Sequence, residues 1–212
     1  MIIRILKQAG LNNMAKADIG PKLTKQERFD KRRVEILRGA ARVFGRLGYH
    51  GTSLNNLGTE TEMTPAALYY YVKSKDEMLH ECGKFALDLI QTALDESKNG
   101  ERNGATRLRT FFRSYAQIMG DDFGRCFVLT TPEDLPSDME ALNREGRRNL
   151  DRAIREMIEE GRADGSIKDV SGRLLADILF ATFNAIARRP LGYRGMVPDD
   201  LADSYLDIIL GA

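Results

Sequence analysis

Two helix starts only ten residues apart constrain this chain more than any other feature of its sequence. Thr64 can cap a helix whose first residue is Pro65, and Ser74 with Glu77 has the S-x-x-E spacing of a capping box. The first of these helices must therefore end before Ser74. A second, much longer apolar pattern begins at Lys75, so the sequence predicts a short helix followed directly by a long one.

The segment around these two starts carries phosphate-binding chemistry. It contains three consecutive tyrosines, Tyr69 to Tyr71, and the lysines Lys73 and Lys75. Tyrosine hydroxyls, lysine ammonium groups and helix N-termini all bind phosphate oxygens. Upstream, residues 48–57 are typical of a turn followed by another short helix. Two short helices joined by a turn, with phosphate-binding side chains after the second, indicate a helix-turn-helix unit that binds DNA.

The charges of the chain are unevenly distributed. Residues 1–75 hold 14 Lys/Arg and 6 Asp/Glu, a net charge of +8, whereas residues 76–212 hold 18 and 25, a net charge of −7. A basic segment that includes the tyrosines and lysines is typical of a face that binds a polyanion. We therefore expect the first third of the chain to bind nucleic acid and the acidic remainder to have another role.

Apolar residues recur at three- and four-residue spacing through most of the chain, and no segment alternates with a period of two. This pattern predicts an all-α fold of about nine helices. The sequence has no apolar run near the length of about 18 residues that spans a bilayer. Residues 120–137 are expected to form a loop with a short helical turn at most. The expected helices cover residues 32–48, 53–61, 65–71, 75–98, 106–119, 137–163, 171–188 and 198–210.

Three regions follow from these patterns. We interpret residues 1–30 as a flexible basic N-terminal arm, residues 31–75 as the helix-turn-helix domain and residues 76–212 as a domain for ligand binding and dimerisation. The first ten residues lack the apolar run of a secretory signal, and either Met1 or Met14 can be the true start. The spacing of Cys82 and Cys126 is not typical of a disulfide or metal framework, which favours a reduced, cytoplasmic protein.

Over about residues 33–79 the chain agrees in both spacing and residue identity with one family pattern that extends over more than forty residues. The matching positions are Ile36, Leu37, Ala40, Ala41, Phe44, Gly48, Tyr49, Thr52, Ser53, Leu54, Leu57, Leu68, Tyr69, Val72, Ser74, Lys75, Asp76, Glu77, Met78 and Leu79. On these positions the chain resembles the TetR family of bacterial transcriptional regulators. The resemblance implies a dimer in which two small DNA-binding domains accompany two helical ligand-binding domains. Beyond residue 79 it extends only to the number and length of the helices.

The resemblance also implies roles for individual residues. The implied phosphate contacts are Thr52, Tyr69, Tyr71 and Lys75, and the residues implied to face base edges in the major groove are Thr64, Pro65, Ala66, Ala67 and Tyr70. Because the two alanines offer little but methyl contact to thymine, we expect sequence specificity to depend on Tyr70, Asn55, Asn56 and DNA shape.

Two residues depart from the family pattern. Gly58 stands where the family usually has alanine, which is expected to weaken the second helix by roughly 1 kcal/mol. Glu62 stands at a turn position where the family usually has glycine, and a left-handed backbone there costs on the order of 1 kcal/mol. Both departures bear on the rigidity of the turn.

Aromatic and apolar residues of the second region are core candidates that can also line a ligand cavity between helices. We expect a small apolar or amphipathic effector there, which is acyl-CoA-like, lipid-like or a hydrophobic drug. The two apolar helices at about 171–188 and 198–210 are expected to form the homodimer interface. The candidate ligand-binding residues are Phe85, Leu89, Phe112, Tyr115, Met119, Phe127, Met157 and Phe183.

These patterns favour a ligand-responsive transcriptional regulator, most simply a repressor that its effector releases from a palindromic double-stranded DNA operator. A non-specific architectural DNA-binding protein without an effector is the alternative. A helical enzyme is disfavoured because the sequence has no nucleophile elbow, zinc signature or phosphate-binding loop. We therefore expect no catalytic residue, no metal site, no cofactor and no membrane partner.

Overall fold

The computed structural model describes residues 24–99, 103–131, 135, 137–189 and 198–211, without the side chains of residues 137–139. Over these residues the chain forms nine α-helices and no strand, which confirms the predicted fold class. The helices are α1 (Lys25–Gly51), α2 (Leu54–Thr61), α3 (Pro65–Leu68), α4 (Lys75–Ser97), α5 (Gly104–Gly120), α6 (Asp122–Leu129), α7 (Ser137–Ala163), α8 (Gly172–Ala187) and α9 (Pro198–Leu210).

Helix α1 begins earlier than the sequence pattern indicated. Thr24 caps it in a reciprocal capping box, in which the Glu27 amide donates to the Thr24 hydroxyl at 3.1 Å and the Thr24 amide donates to the Glu27 carboxylate at 2.7 Å. The predicted end of the N-terminal arm at residue 30 was therefore wrong, because residues 25–30 belong to α1. The rest of that arm, with Met1 and Met14, lies outside the described residues.

Gly48 ends the regular part of α1, as expected. Its backbone has φ 70° and ψ 168°, a conformation that favours glycine, and the helical residues after it form a separate turn. The Thr52 amide closes this turn by donating to the Tyr49 carbonyl at 3.2 Å. The chain changes direction here before it enters α2.

Helix α3 is shorter than the predicted span of 65–71. Beyond Leu68 the backbone tightens into turns, because the Tyr70 amide donates to the Ala67 carbonyl at 3.3 Å and the Tyr71 amide donates to the Leu68 carbonyl at 2.9 Å. The three tyrosines therefore leave the helix on a turn rather than on a continuous helical face.

The expected loop at 120–137 contains a true helix, α6. Asp121 caps it by accepting the Phe123 amide at 3.0 Å, and α6 buries Phe123, Cys126 and Phe127. Gly124 lets α6 cross α5 closely, since an added Cβ would lie 1.9 Å from the Ile118 carbonyl oxygen. Gly124, one of the residues that suggested a loop, is thus required by close helix packing.

The core continues from the first region into the second. Helix α1 packs against α2, α4 and α6, while α5 lies at the centre of the second region and contacts α4, α6, α7, α8 and α9. Buried residues of all these helices form one connected apolar cluster. Within the described ranges, no helix has the length and apolar character needed to cross a bilayer.

Candidate nucleic-acid interface

The N-terminus of α3 is capped and accessible. The Thr64 hydroxyl accepts the Ala67 amide at 3.2 Å, and Pro65 occupies the first helical position. Thr64 and Ala66 are exposed, whereas Pro65 and Ala67 are half-buried. Buried Leu68 anchors the short helix to the core. Four of the five residues expected to face base edges thus lie at this helix start, and the fifth, Tyr70, lies in the turn that follows.

The three tyrosines of the turn after α3 differ in their surroundings. Tyr69 and Tyr70 are 51% and 69% exposed, so their hydroxyls are accessible. The ring of Tyr71 stacks on Phe29 of α1 with the centroids 5.1 Å apart, and its carbonyl accepts the Arg33 Nε–H at 3.2 Å. Tyr71 therefore has a packing role in addition to the phosphate contact expected of it.

Lys75 is half-buried, and its ammonium group is engaged by backbone carbonyls. Its ammonium donates to the Tyr49 carbonyl at 2.9 Å and to the Thr52 carbonyl at 3.0 Å, and it lies 4.0 Å from the centroid of the Tyr49 ring. The Tyr49 hydroxyl donates to Asp76, and burial together with this hydrogen bond raises the pKa of Tyr49 to about 12. Lys75 thereby ties the start of α4 to the turn before α2, while Lys73 remains exposed.

Thr52 does not fit the phosphate-contacting role expected of it, because its side chain is only 2% exposed. Its hydroxyl donates to the Gly48 carbonyl at 2.7 Å. The exposed residue at the N-terminus of α2 is Ser53, whose hydroxyl accepts the Asn56 amide at 3.2 Å. Asn55 is exposed on the first turn. The spacing of Ser53 and Asn56 is that of a capping box and would have indicated from the sequence that Ser53 is the exposed cap of α2.

The turn between α2 and α3 combines a strained residue with a required glycine. Glu62 is left-handed, with φ 56° and ψ 40°, so the residue that departs from the family's glycine does adopt the costly backbone. Gly58 does more than weaken α2. Its carbonyl accepts the Met63 amide at 2.9 Å, and a Cβ added to Gly58 would lie 2.6 Å from the Met63 carbonyl oxygen. The turn is therefore built around the absence of a side chain at residue 58.

Arginines of α1 join this surface to the second region through carboxylates. Arg38 pairs with Asp121, the cap of α6. Arg42 pairs with Glu60 of α2 at 2.7 Å and with Asp122 of α6 at 3.0 Å. The hydrogen bonds that the Arg42 guanidinium donates to Asp122 and Glu60 raise its pKa. We call these five residues the ion-pair junction. It links α1, α2 and α6 at their common contact.

The candidate ligand-binding residues are packed against one another or against other side chains. Phe112 and Phe183 have ring centroids 4.7 Å apart, and the Tyr115 hydroxyl donates to Asn184 Oδ1 at 2.8 Å. Burial raises the pKa of Tyr115 above its ordinary value. Seven of the eight candidates are buried and Leu89 is half-buried. A ligand can enter this aromatic core only if side chains or helices move.

Three large apolar side chains on the last two helices are exposed. Leu174 and Ile178 of α8 are 60% and 43% exposed and lie one turn apart, and Ile208 of α9 is 81% exposed. Exposed apolar side chains that adjoin on a helix, as Leu174 and Ile178 do, are typical of an interface with another chain. They lie on the two helices expected to form the homodimer.

Comparisons with known proteins match both regions of the chain. Residues 36–82 match the model described as "Bacterial regulatory proteins, tetR family", and residues 101–212 match the model described as "Tetracyclin repressor-like, C-terminal domain". The HTH-type transcriptional regulator HbdR of Aromatoleum sp. (strain CIB) is 22% identical over 147 residues, which are 69% of this chain and 64% of HbdR. The chain thus spans a little under two thirds of the length of this relative.

Solved structures share the fold over most of the chain. PfmR, a TetR family transcriptional regulator from Thermus thermophilus, superimposes with a TM-score of 0.73 at 26% identity, covering 82% of this chain and 96% of PfmR. AibR, solved in complex with isovaleryl coenzyme A and operator DNA, superimposes with a TM-score of 0.74 at 20% identity, covering 84% and 98%. Because the C-terminal family model alone spans more than half of the chain and the N-terminal model spans its helix-turn-helix, the chain belongs to the TetR family.

Proposed function

We propose that this protein is a homodimeric transcriptional repressor that a small apolar or amphipathic effector releases from a palindromic DNA operator. The observation that carries the proposal is the ion-pair junction, because it ties α1 and α2 to Asp121 and Asp122, which directly follow α5, the helix that carries Phe112 and Tyr115. The capped N-terminus of α3, with exposed Tyr69 and Tyr70, supplies the surface that meets the duplex.

The aromatic core supports an effector-dependent switch. Phe112, Tyr115 and Phe183 fill the space between α5 and α8, so that an apolar ligand must displace them to bind. Asp121 and Asp122, at the end of α5 and the start of α6, pair with α1. A ligand that favours a shifted α5–α6 corner would therefore also shift α1 and the helix-turn-helix. It can move the equilibrium only by its difference in affinity for the two conformers.

Two classes of effector remain open within this proposal. AibR, which has the same fold, was solved with isovaleryl coenzyme A and operator DNA, and this supports an acyl-CoA-like or lipid-like molecule. The apolar lining of the core equally suits a hydrophobic drug. In both cases the two recognition helices of a dimer would occupy successive major grooves roughly 34–36 Å apart.

The first test is selection of bound sequences from random duplex DNA at near-physiological salt. We expect an enriched inverted repeat, as a sequence-specific dimer requires. Recovery of DNA without a shared motif, together with a steep salt dependence, would instead support the non-specific architectural alternative.

The second test measures operator affinity in the presence of dodecanoyl-CoA, dodecanoate and a hydrophobic cationic dye. We expect at least one of these probes to raise the operator dissociation constant. A probe that binds tightly and leaves operator affinity unchanged would contradict the switch.

A further inference from the structure

We propose that the first turns of α1 form a second DNA-binding surface, which contacts backbone phosphates next to the base pairs that α3 reads. This surface, the α1 strip, consists of Lys25, Arg28 and Lys31. The inference rests on the proposed function, because it takes duplex DNA as the partner.

The α1 strip stands on a defined helix. Its first turn is fixed by the reciprocal capping box of Thr24 and Glu27, and the next turn is supported by a hydrogen bond from Gln26 to Asp30 at 2.8 Å. Lys25 and Arg28 are i, i+3 neighbours, and so are Arg28 and Lys31, so the side chains of each pair share part of a helix face. A fixed backbone lowers the entropic cost of ordering these side chains on phosphates.

Phe29 places the α1 strip beside the candidate interface. Its ring stacks on Tyr71 at 5.1 Å and meets the edge of Tyr70 at 5.5 Å. Lys25 precedes Phe29 by one helical turn and Arg28 is its neighbour in sequence. Because Phe29 contacts the turn after α3, Lys25 and Arg28 lie beside that turn rather than on α3 itself. They are therefore suited to phosphates beside the recognition site rather than to base edges.

The cations of the α1 strip are available for a ligand. All three are exposed, and none makes an ion pair with a carboxylate in the part of the chain that the structure describes. Nearby acids have other partners, since Glu27 binds Thr24 and Glu35 pairs with Arg32 at 3.1 Å. Residues 25–35 still carry five basic and three acidic side chains.

Arginines further along α1 contrast with this strip. Arg33, Arg38 and Arg42 each pair with carboxylates of other helices. The positive charges of α1 are thus neutralised where the helix meets the rest of the protein, whereas those of the α1 strip have no carboxylate partner among the described residues. Exposed lysines and arginines of this kind, next to a helix-turn-helix, are typical of sequence-independent phosphate contacts.

The test compares three proteins on two duplexes. The proteins are the wild type, the double variant Lys25→Gln/Arg28→Gln, and the control Arg148→Gln/Arg152→Gln, which removes two exposed charges from α7. One duplex carries the selected inverted repeat with ten base pairs on each side, and the other ends at the repeat. Operator affinity is measured between 50 and 200 mM salt.

On the flanked duplex, we expect the α1 variant to lower the slope of log K against log [salt] by about 0.9 for each phosphate that is no longer neutralised, up to about 3.6 for a dimer. Its affinity should fall more than about tenfold at 50 mM salt, where phosphate contacts contribute most, while its ranking of operator sequences stays unchanged. The control should behave as the wild type. On the trimmed duplex, the difference between variant and wild type should shrink.

Equal salt slopes for the α1 variant and the wild type on the flanked duplex would overturn the inference, as would a changed preference among operator sequences. Either result would leave the proposed function intact, provided that the wild type selects an inverted repeat. A wild type that binds no DNA would overturn both.

Discussion

At the scale of single residues, two lysines separated by one residue are predicted to have different roles. Lys73 is exposed, so the variant Lys73→Met should lower the salt slope of operator binding by about 2 for a dimer and leave stability unchanged. Lys75→Met removes two hydrogen bonds to the carbonyls of Tyr49 and Thr52. It should lower the free energy of unfolding by about 1–3 kcal/mol and weaken operator binding without changing the salt slope.

Chemical denaturation and salt titrations of both variants check this difference. A reduced salt slope for Lys75→Met would show that its ammonium leaves the carbonyls and binds phosphate in the complex, as the family resemblance implied. The sequence alone could place both lysines near DNA. It could not show that the Lys75 ammonium donates hydrogen bonds to the carbonyls of Tyr49 and Thr52.

At the scale of the elements, helix propensity and packing predict opposite changes in stability for a substitution in the turn between α2 and α3. Propensity alone predicts that Gly58→Ala stabilises α2 by about 1 kcal/mol. The structure predicts destabilisation instead, because the added Cβ would lie 2.6 Å from the Met63 carbonyl oxygen. Glu62→Gly should raise stability by about 1 kcal/mol, since it relieves a left-handed backbone. Thermal and urea denaturation measure both; a stabilised Gly58→Ala variant would contradict the described turn.

The elements also show how far sequence reasoning reaches. Long helices with a clear apolar period, such as α4, α7 and α9, were placed within one or two residues. The start of α1 was missed because its cap follows a segment with Gly20 and Pro21 and its first turns are almost entirely polar. Helix α6 was missed because it is short and because Gly124 serves a close helix crossing that no local pattern reveals.

At the scale of the whole molecule, we predict that the exposed apolar side chains of α8 hold the dimer together. The double variant Leu174→Glu/Ile178→Glu should convert the protein to a folded monomer, because charges would replace apolar area at the interface. Operator affinity should then fall by at least about a hundredfold, since each half-site would be bound separately. Analytical ultracentrifugation and operator titration measure these effects.

Leu142→Glu is the matched control, because Leu142 of α7 is 40% exposed and is not part of α8 or α9. A dimeric Leu174→Glu/Ile178→Glu variant would place the interface elsewhere on the molecule. The uneven charge and the apolar last helices indicate from the sequence that DNA binding and dimerisation belong to different parts of the chain. The sequence does not indicate the ion-pair junction, because its partners are separated by up to 83 residues.

The brevity of α3 has a consequence for engineering. Four helical residues cannot hold a helix by themselves, because nucleation fixes several residues for one hydrogen bond. The shape of α3 is instead imposed by the Thr64 cap, the left-handed Glu62 and the buried anchor Leu68. Residues 65–68 grafted alone from a relative would therefore not be held in the conformation that they have in that relative. The smallest segment whose exchange would transfer the preference for a DNA sequence is the whole stretch from Ser53 to Lys75. Phe29 of α1, which stacks on Tyr71, must be exchanged with it.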